Sequence, residues 1–374
     1  MTLTDDQPRP ERTRGVSASR RTVAGIWALT AALLALVVIT FLPTSFVIQQ
    51  PGPVYDTIGG VVDSDGREVP LIEVADAETY ETSGSLDLTT VQVVGNRERT
   101  PSWFELALAW LDPARAVVPL DSVFPEGQTT EQREEQNAVA MVDSQAEATA
   151  AALTQLGYDV GAHLRVVGPT SDESPAAGVL AEDDVVVAAD GEPVSDVEHL
   201  KEIIAAGEGD AVVLTIERDG AEQDVEIVPD EVEADGETSW AIGVYLTTAF
   251  DFPIDVTIQL EDVGGPSAGT MFALGIIDTL TPGALTGGEE IAGTGTIDAA
   301  GTVGAIGGIR QKLYGASGAG ADWFLAPAEN CDEVVGHVPA GLQVFSISTL
   351  DDALAAVEAI AAGETGALPT CTTG

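Results

Sequence analysis

The sequence predicts an α+β protein behind a single apolar N-terminal helix, and three observations predict it. An apolar run, Val23–Leu42, is long enough to make about 30 Å of helix. Beyond it, stretches of period two such as Ser85–Val93 are mixed with stretches of helical spacing such as Thr129–Leu156. Apolar residues make up 45% of the 374, enough to bury a large core and to rule out a chain disordered throughout. At roughly 100–200 residues per domain, two or three domains are expected.

Composition removes whole classes of function. Against 61 acidic residues stand 15 basic ones, a formal net charge of −46. Such a chain lacks the clustered Lys and Arg that displace counterions from nucleic acid. Two cysteines make neither a disulfide-dense scaffold nor a four-cysteine zinc site, and His163, His199 and His337 lack metal-ligand spacing. No Gly-x-x-x-x-Gly-Lys-[Ser/Thr] occurs, so no ATP-binding P-loop is expected, and neither metal nor cofactor is called for.

Arg9, Arg12, Arg14, Arg20 and Arg21 make residues 1–22 a basic segment ahead of the apolar run 23–42. Positive flanks stay cytoplasmic, so the run is expected to be a transmembrane anchor, with its N-terminus inside and the rest outside the cell membrane. The alternative is a cleaved signal peptide. That would have a shorter apolar core and an Ala-x-Ala site, where Pro43-Thr44-Ser45-Phe46 stands. Setting aside Asp5, Asp6, Glu11 and the five arginines leaves 58 acidic and 10 basic residues beyond Leu42, a surface suited to solubility or salt tolerance. Residues 43–156 form the first extracytoplasmic part. It opens with a stiff exit, Gln49–Pro53, and holds the strand Ser85–Val93 and the helix Thr129–Leu156, which Gly157 stops.

Residues 157–229 make a second unit. It reads as strand His163–Val167, turn Ser174–Gly178, strand Asp184–Ala188, helix Asp196–Ala206, and a hairpin of Val212–Arg218 with Gln223–Val228 about Asp219-Gly220. This order, with Ser174-Pro175-Ala176-Ala177-Gly178-Val179-Leu180 and Asp190-Gly191-Glu192-Pro193-Val194 in register, resembles a bacterial PDZ domain. It departs at Asp183-Asp184, where such domains carry Gly-Asp. The resemblance implies a groove that takes an extended peptide as an added strand, with Gly157–Gly161 the candidate carboxylate loop and His199 on the helix that walls the groove. Alternatively, His199 is an exposed helical residue beside Glu198 and Lys201. Residues 230–239 read as an acidic linker. Residues 240–362 form a third unit, opening with strands Ala241–Leu246 and Val256–Leu260, and 363–374 are a tail.

The third unit carries the candidate chemistry. Gly264-Gly265-Pro266-Ser267-Ala268-Gly269 precedes an apolar helix. Small residues around Ser267 give its hydroxyl access, and the turn residues Gly265, Pro266, Ala268 and Gly269 lie where an oxyanion would develop. An N-capping serine in a tight turn is the alternative. Lysine usage shifts the balance: Lys201 and Lys312 stand against thirteen arginines. Arginine keeps its proton, whereas a desolvated lysine can lose it and act as a general base. Lys312 has apolar neighbours at a helix start, Ile306–Leu313.

Gly264–Gly269, Ile291-Ala292-Gly293-Thr294-Gly295-Thr296-Ile297 and Gly304–Lys312 together resemble the proteolytic domain of Lon-type serine proteases. The resemblance implies Ser267 as nucleophile, Lys312 as general base and Thr294 as the residue that orients the lysine. Asn330 matches a family asparagine to which no catalytic role is assigned. The ATPase half of the large Lon proteases is missing. Anchor, PDZ domain and catalytic domain together resemble the membrane-anchored PDZ–Lon-like proteases of Gram-positive bacteria, in which the PDZ domain is inserted within the protease domain. That wider resemblance implies an ATP-independent serine endopeptidase acting on extracytoplasmic proteins or peptides, with the PDZ domain recruiting substrate and a homo-oligomeric ring of about six copies.

Two other readings stay open. Gly265-x-Ser267-x-Gly269 also fits the nucleophile elbow of an α/β-hydrolase esterase, with Asp322 or Asp332 and then His337. A non-catalytic PDZ scaffold is the other. Cys331 and Cys371 both fall on the oxidising side of the expected topology, where a bridge closing 40 residues would stabilise by about 4 kcal/mol. The alternative is a reactive Cys331 paired with His337.

Overall fold

The computed structural model describes residues 20–40, 42–62, 66–125, 127, 129–234, 237–260 and 263–372. It divides into two compact units, Met1–Gln49 with Val93–Gly127, and Gln50–Gln92 with Gln128–Gly374. The basic segment ahead of Arg20 lies outside the described residues.

In the first unit, helix α1 (Arg20–Thr40) precedes the head of strand Phe46–Asp56, which pairs antiparallel with Ala116–Pro119. Helix α2 (Trp103–Ala109) is started by a capping box: Ser102 Oγ accepts from Glu105 N, and the Glu105 carboxylate accepts from Ser102 N. The sequence puts the membrane anchor on α1. Among the described residues, however, no helix is long and apolar enough to cross a membrane. The side chains of residues 35–40, and residue 41, lie outside the described set.

The second unit is built on a sheet in the order Gln343–Ile347, Trp323–Pro327, Glu290–Gly293, Ser85–Val94 and Phe46–Asp56. The first four are parallel, with pairs such as Trp323↔Gln343, Ile291↔Trp323 and Glu290↔Ser85. Alternate residues feed two cores, as strand periodicity requires. Ile291, Leu325 and Phe345 join Phe272, Leu274 and Val357 of the helices on one face, while Ala292, Phe324 and Val344 join Ile309 and Leu313 on the other. Phe272 and Leu274 have no exposed surface, which contributes about 1.5–3 kcal/mol each. Helix α3 (Thr130–Gln155) lies on the first of these faces, started by a capping box between Thr129 and Gln132.

The PDZ-like part has its own core, around Leu164, Val186, Leu200, Leu214 and Ile216. Its sheet runs Ala221–Ile227, Val212–Arg218, Val185–Ala189, Gly161–Pro169 and Val244–Asp251, with helix α4 (Val197–Ala206) capped by Asp196. The last strand corrects the sequence reading. Val244–Asp251 pairs along its length with Gly161–Pro169, so the sheet takes in a strand that the sequence reading gave to the catalytic unit. The acidic stretch read as a linker is itself paired, Asp230–Ala234 with Glu237–Ala241. Charge hid this: the packing contact is Trp240, whose ring lies against Gly209 at the end of α4, leaving no room there for a Cβ.

Asp183 explains the departure from Gly-Asp. It adopts φ +69°, a left-handed conformation that glycine takes without cost. Asp184 is 1% exposed, and Arg218 Nε and Nη2 donate to its two oxygens at 2.7 and 2.6 Å. Those bonds hold the Asp184 carboxyl below its ordinary range. Asp183→Gly is therefore expected to stabilise the fold by about 0.5–1 kcal/mol. An exposed Arg165–Asp183 pair at 3.9 Å is too weak to reverse the sign. A urea-unfolding midpoint that falls on this substitution would contradict the account.

Candidate active site

The site forms where parallel strands end. Gly293 pairs with Leu88, so Thr294 and Thr89 follow side by side at the C-terminal edge of the sheet. Helix α5 (Gly269–Leu280) starts just after Ser267. Helix α6 (Ile309–Ala319) starts behind Gly308, whose φ of +72° and closeness to Val91 both require glycine, and it delivers Lys312.

Lys312 is 2% exposed, and its Nζ lies 2.8 Å from each of three oxygens: Ser267 Oγ, Thr294 Oγ1 and Thr89 O. Thr294 Oγ1 gives its own proton to Ser267 O at 2.9 Å, so towards Lys312 it accepts. A carbonyl such as Thr89 O can only accept. These two oxygens occupy both N–H bonds of a neutral amine, and the lone pair is left for the Ser267 hydroxyl proton. Burial pulls the Lys312 pKa down to about 7, which makes the neutral amine accessible.

The nucleophile turn is fastened from several sides. Gly295 N donates to Ser267 O at 3.0 Å, Ser144 Oγ to Pro266 O at 2.9 Å, and Gly265 N to Asn137 O at 2.8 Å. Gly265 takes φ +90°, and a Cβ on Gly269 would stand 2.9 Å from Ile297 Cγ2. This corrects the expected oxyanion set. Pro266 has no N–H and that of Gly265 is engaged, so Ala268 and Gly269 remain, with Ser267 itself, as donors at the start of α5. Asn137 and Ser144 were not foreseen from the sequence. They lie two helical turns apart on α3; Ser144, 4% exposed, signals itself only as a polar residue on the buried side, and Asn137 acts through its backbone carbonyl, which carries no sequence signal.

Other candidates fall elsewhere. Asn330 bonds Ile306 in both directions, Ile306 N to Oδ1 and Nδ2 to Ile306 O at 2.9 Å each, steadying the loop ahead of α6. Cys331 is joined to Cys371, and His337 Nδ1 lies 3.2 Å from Val335 O. Neither the esterase triad nor the thiol dyad is assembled. His199 Nε2 lies 3.2 Å from Glu192 Oε1 on the PDZ-like part. Gly157–Gly161, the expected carboxylate loop, leads into the strand end where Gly161 pairs with Asp251.

Residues 258–359 match the model of the Lon protease (S16) C-terminal proteolytic domain, and residues 138–228 match that of the PDZ domain. The chain carries a Lon-type proteolytic domain and a PDZ domain. Lon protease 1 of Sorangium cellulosum is 39% identical over 108 residues, which are 28% of this chain and 13% of that protein. The Lon protease of Azospirillum brasilense is 37% identical over 120 residues, 31% of this chain and 15% of the relative. The chain thus spans about one seventh of the curated relatives it matches. Among solved structures, the PDZ domain of an SdrC-like protein from Listeria innocua is 20% identical, covering 22% of this chain and 92% of that one, at a TM-score of 0.20. The PDZ match begins within α3, while the Lon-type match ends in helix α7 (Leu350–Ala362).

Thr294 Oγ1 links Lys312 Nζ to the backbone of Ser267. Thr294→Val keeps the shape but removes an acceptor for Lys312 and a donor to Ser267 O. It is expected to lower kcat by roughly tenfold to a hundredfold with little change in KM, and Thr294→Ser should restore most of it. Unaltered kcat in Thr294→Val would remove the residue from the site.

Proposed function

We propose that this chain is an ATP-independent serine endopeptidase, tethered to the cell membrane by Val23–Leu42 with its catalytic part outside. One observation carries the catalytic reading: the buried Lys312 Nζ stands 2.8 Å from Ser267 Oγ with its other two contacts fixed on acceptors. Neutral Lys312 accepts the Ser267 proton as Oγ attacks the substrate carbonyl. The oxyanion is held by N–H groups at the start of α5. The lysine ammonium then protonates the leaving amine, and water, activated by the same amine, hydrolyses the acyl-enzyme. A groove of about 920 Å³, lined by Tyr55, Val61, Met141, Gln145, Gln259 and Val263, ends one residue before the nucleophile turn and suits an extended substrate segment.

The PDZ domain recruits protein substrates. Val244–Asp251 is an edge strand, so it offers unpaired backbone to an added peptide strand, with α4 beside it. Its leading residues, Trp240–Gly243, take the place proposed from sequence for Gly157–Gly161. The basic residues before the apolar run support the orientation, and the absence of a P-loop supports ATP independence. The test compares proteins in the exterior fraction of cells carrying wild type or Ser267→Ala, and measures peptide hydrolysis by the pure protein with and without ATP. Identical fractions together with no hydrolysis would sink the reading.

A further inference from the structure

We propose that the outer face of α2 and the residues after it, Trp103–Leu111, is a lipid-contacting surface that lies in the interfacial layer of the membrane. This rests on the reading of Val23–Leu42 as the anchor, which sets where the membrane lies.

The capping box fixes which residues face outward. Leu106 and Ala109 are buried, while Phe104 is 60% exposed, Trp110 63% and Leu111 82%, with Trp103 and Leu108 also exposed. Five large apolar side chains within nine residues are thus given to solvent, at a cost that burial in an apolar medium would recover. Tryptophan and phenylalanine beside leucine are the side chains that settle at the boundary of headgroups and acyl chains.

Position points to lipid as the occupant. Thr44, two residues beyond the apolar run, is buried and tied to the segment that starts α2. Its Oγ1 donates to Pro101 O at 2.7 Å and its N–H to Thr100 Oγ1 at 3.3 Å. Ser102, the N-cap of α2, is the next residue. A chain leaving the membrane at Leu42 therefore holds α2 at the level of its exit.

Charge agrees. Three of the ten basic residues beyond Leu42, namely Arg97, Arg99 and Arg115, fall within 93–127, against five of the 58 acidic ones. This stretch is nearly neutral in a strongly acidic protein, so an anionic membrane repels it little.

The test uses the full chain reconstituted in vesicles of phosphatidylglycerol and phosphatidylcholine that contain a phospholipid with a diazirine on its acyl chain. After irradiation, lipid adducts are located by mass spectrometry. Adducts are expected on peptides covering 103–111 as well as 23–42. Phe104→Glu with Leu111→Glu should lower the first by about tenfold and leave the second unchanged. Both positions are exposed, so the fold should survive, as far-ultraviolet circular dichroism would report. Adducts on 23–42 with none on 103–111 overturn the proposal and leave the anchor standing. Adducts on 103–111 alone uphold the surface and overturn the anchor; adducts on neither overturn both. Cross-links joining 103–111 of two copies in place of lipid adducts also overturn it, assigning the face to self-association.

Discussion

Ser267→Ala and Lys312→Met should each abolish peptide hydrolysis, by at least about a thousandfold, without unfolding the domain. The geometry makes the two losses equivalent, because Nζ and Oγ are bonded to each other at 2.8 Å and act as one device. Their double variant should be no worse than either single one. Lys312→Arg should be as inactive as Lys312→Met: a guanidinium cannot accept a proton near neutral pH, and it is too bulky for a site where the lysine is 2% exposed. His337→Ala should retain full activity, since His337 is occupied with Val335 O. Steady-state kinetics on a fluorogenic peptide decide the matter, and an active Lys312→Met would falsify the dyad.

Activity should rise about tenfold per pH unit below pH 7 and level off above it, because the base must be neutral and its pKa is drawn down to about 7. The same shift links to stability. Lysine in the unfolded chain keeps its proton to about pH 10.4, whereas folded Lys312 releases it near 7. Between those values the unfolded state binds the extra proton, so the Lys312 contribution to stability rises with pH, by up to about 1.4 kcal/mol per unit. At and below pH 7 the full penalty of burying the amine is present. Lys312→Met, which has no such proton, should therefore be more stable than wild type near neutral pH, with the gap narrowing towards pH 9. Thermal unfolding of both proteins across that range reads the difference. A gap that stays flat across that range would mean the folded lysine keeps its charge.

By itself the sequence determined which side chains meet at the candidate site and much of the local structure. Ser267 among small residues, one of only two lysines, and Thr294 in a glycine-rich strand end were legible because a hydroxyl and an amine are side-chain properties, and the structure brings the three together. Helix α3 was legible at both ends, since its capping box and Gly157 are local signals. Only the tertiary structure decided how the lysine proton is arranged. Thr89 acts through a backbone carbonyl, which any residue would supply, and it reaches Lys312 across 223 positions of sequence. Ser144 and Asn137 hold the nucleophile turn from a helix far upstream, the first by a polar side chain that is visible only once the helix face is known, the second by a backbone carbonyl that any residue would supply. Val244–Asp251 belongs to the PDZ sheet because of its pairing with Gly161–Pro169, and its alternation would have suited a strand of either domain. Residue type is written locally, whereas pairing and proton placement arise from contacts between distant segments, which composition and periodicity do not encode.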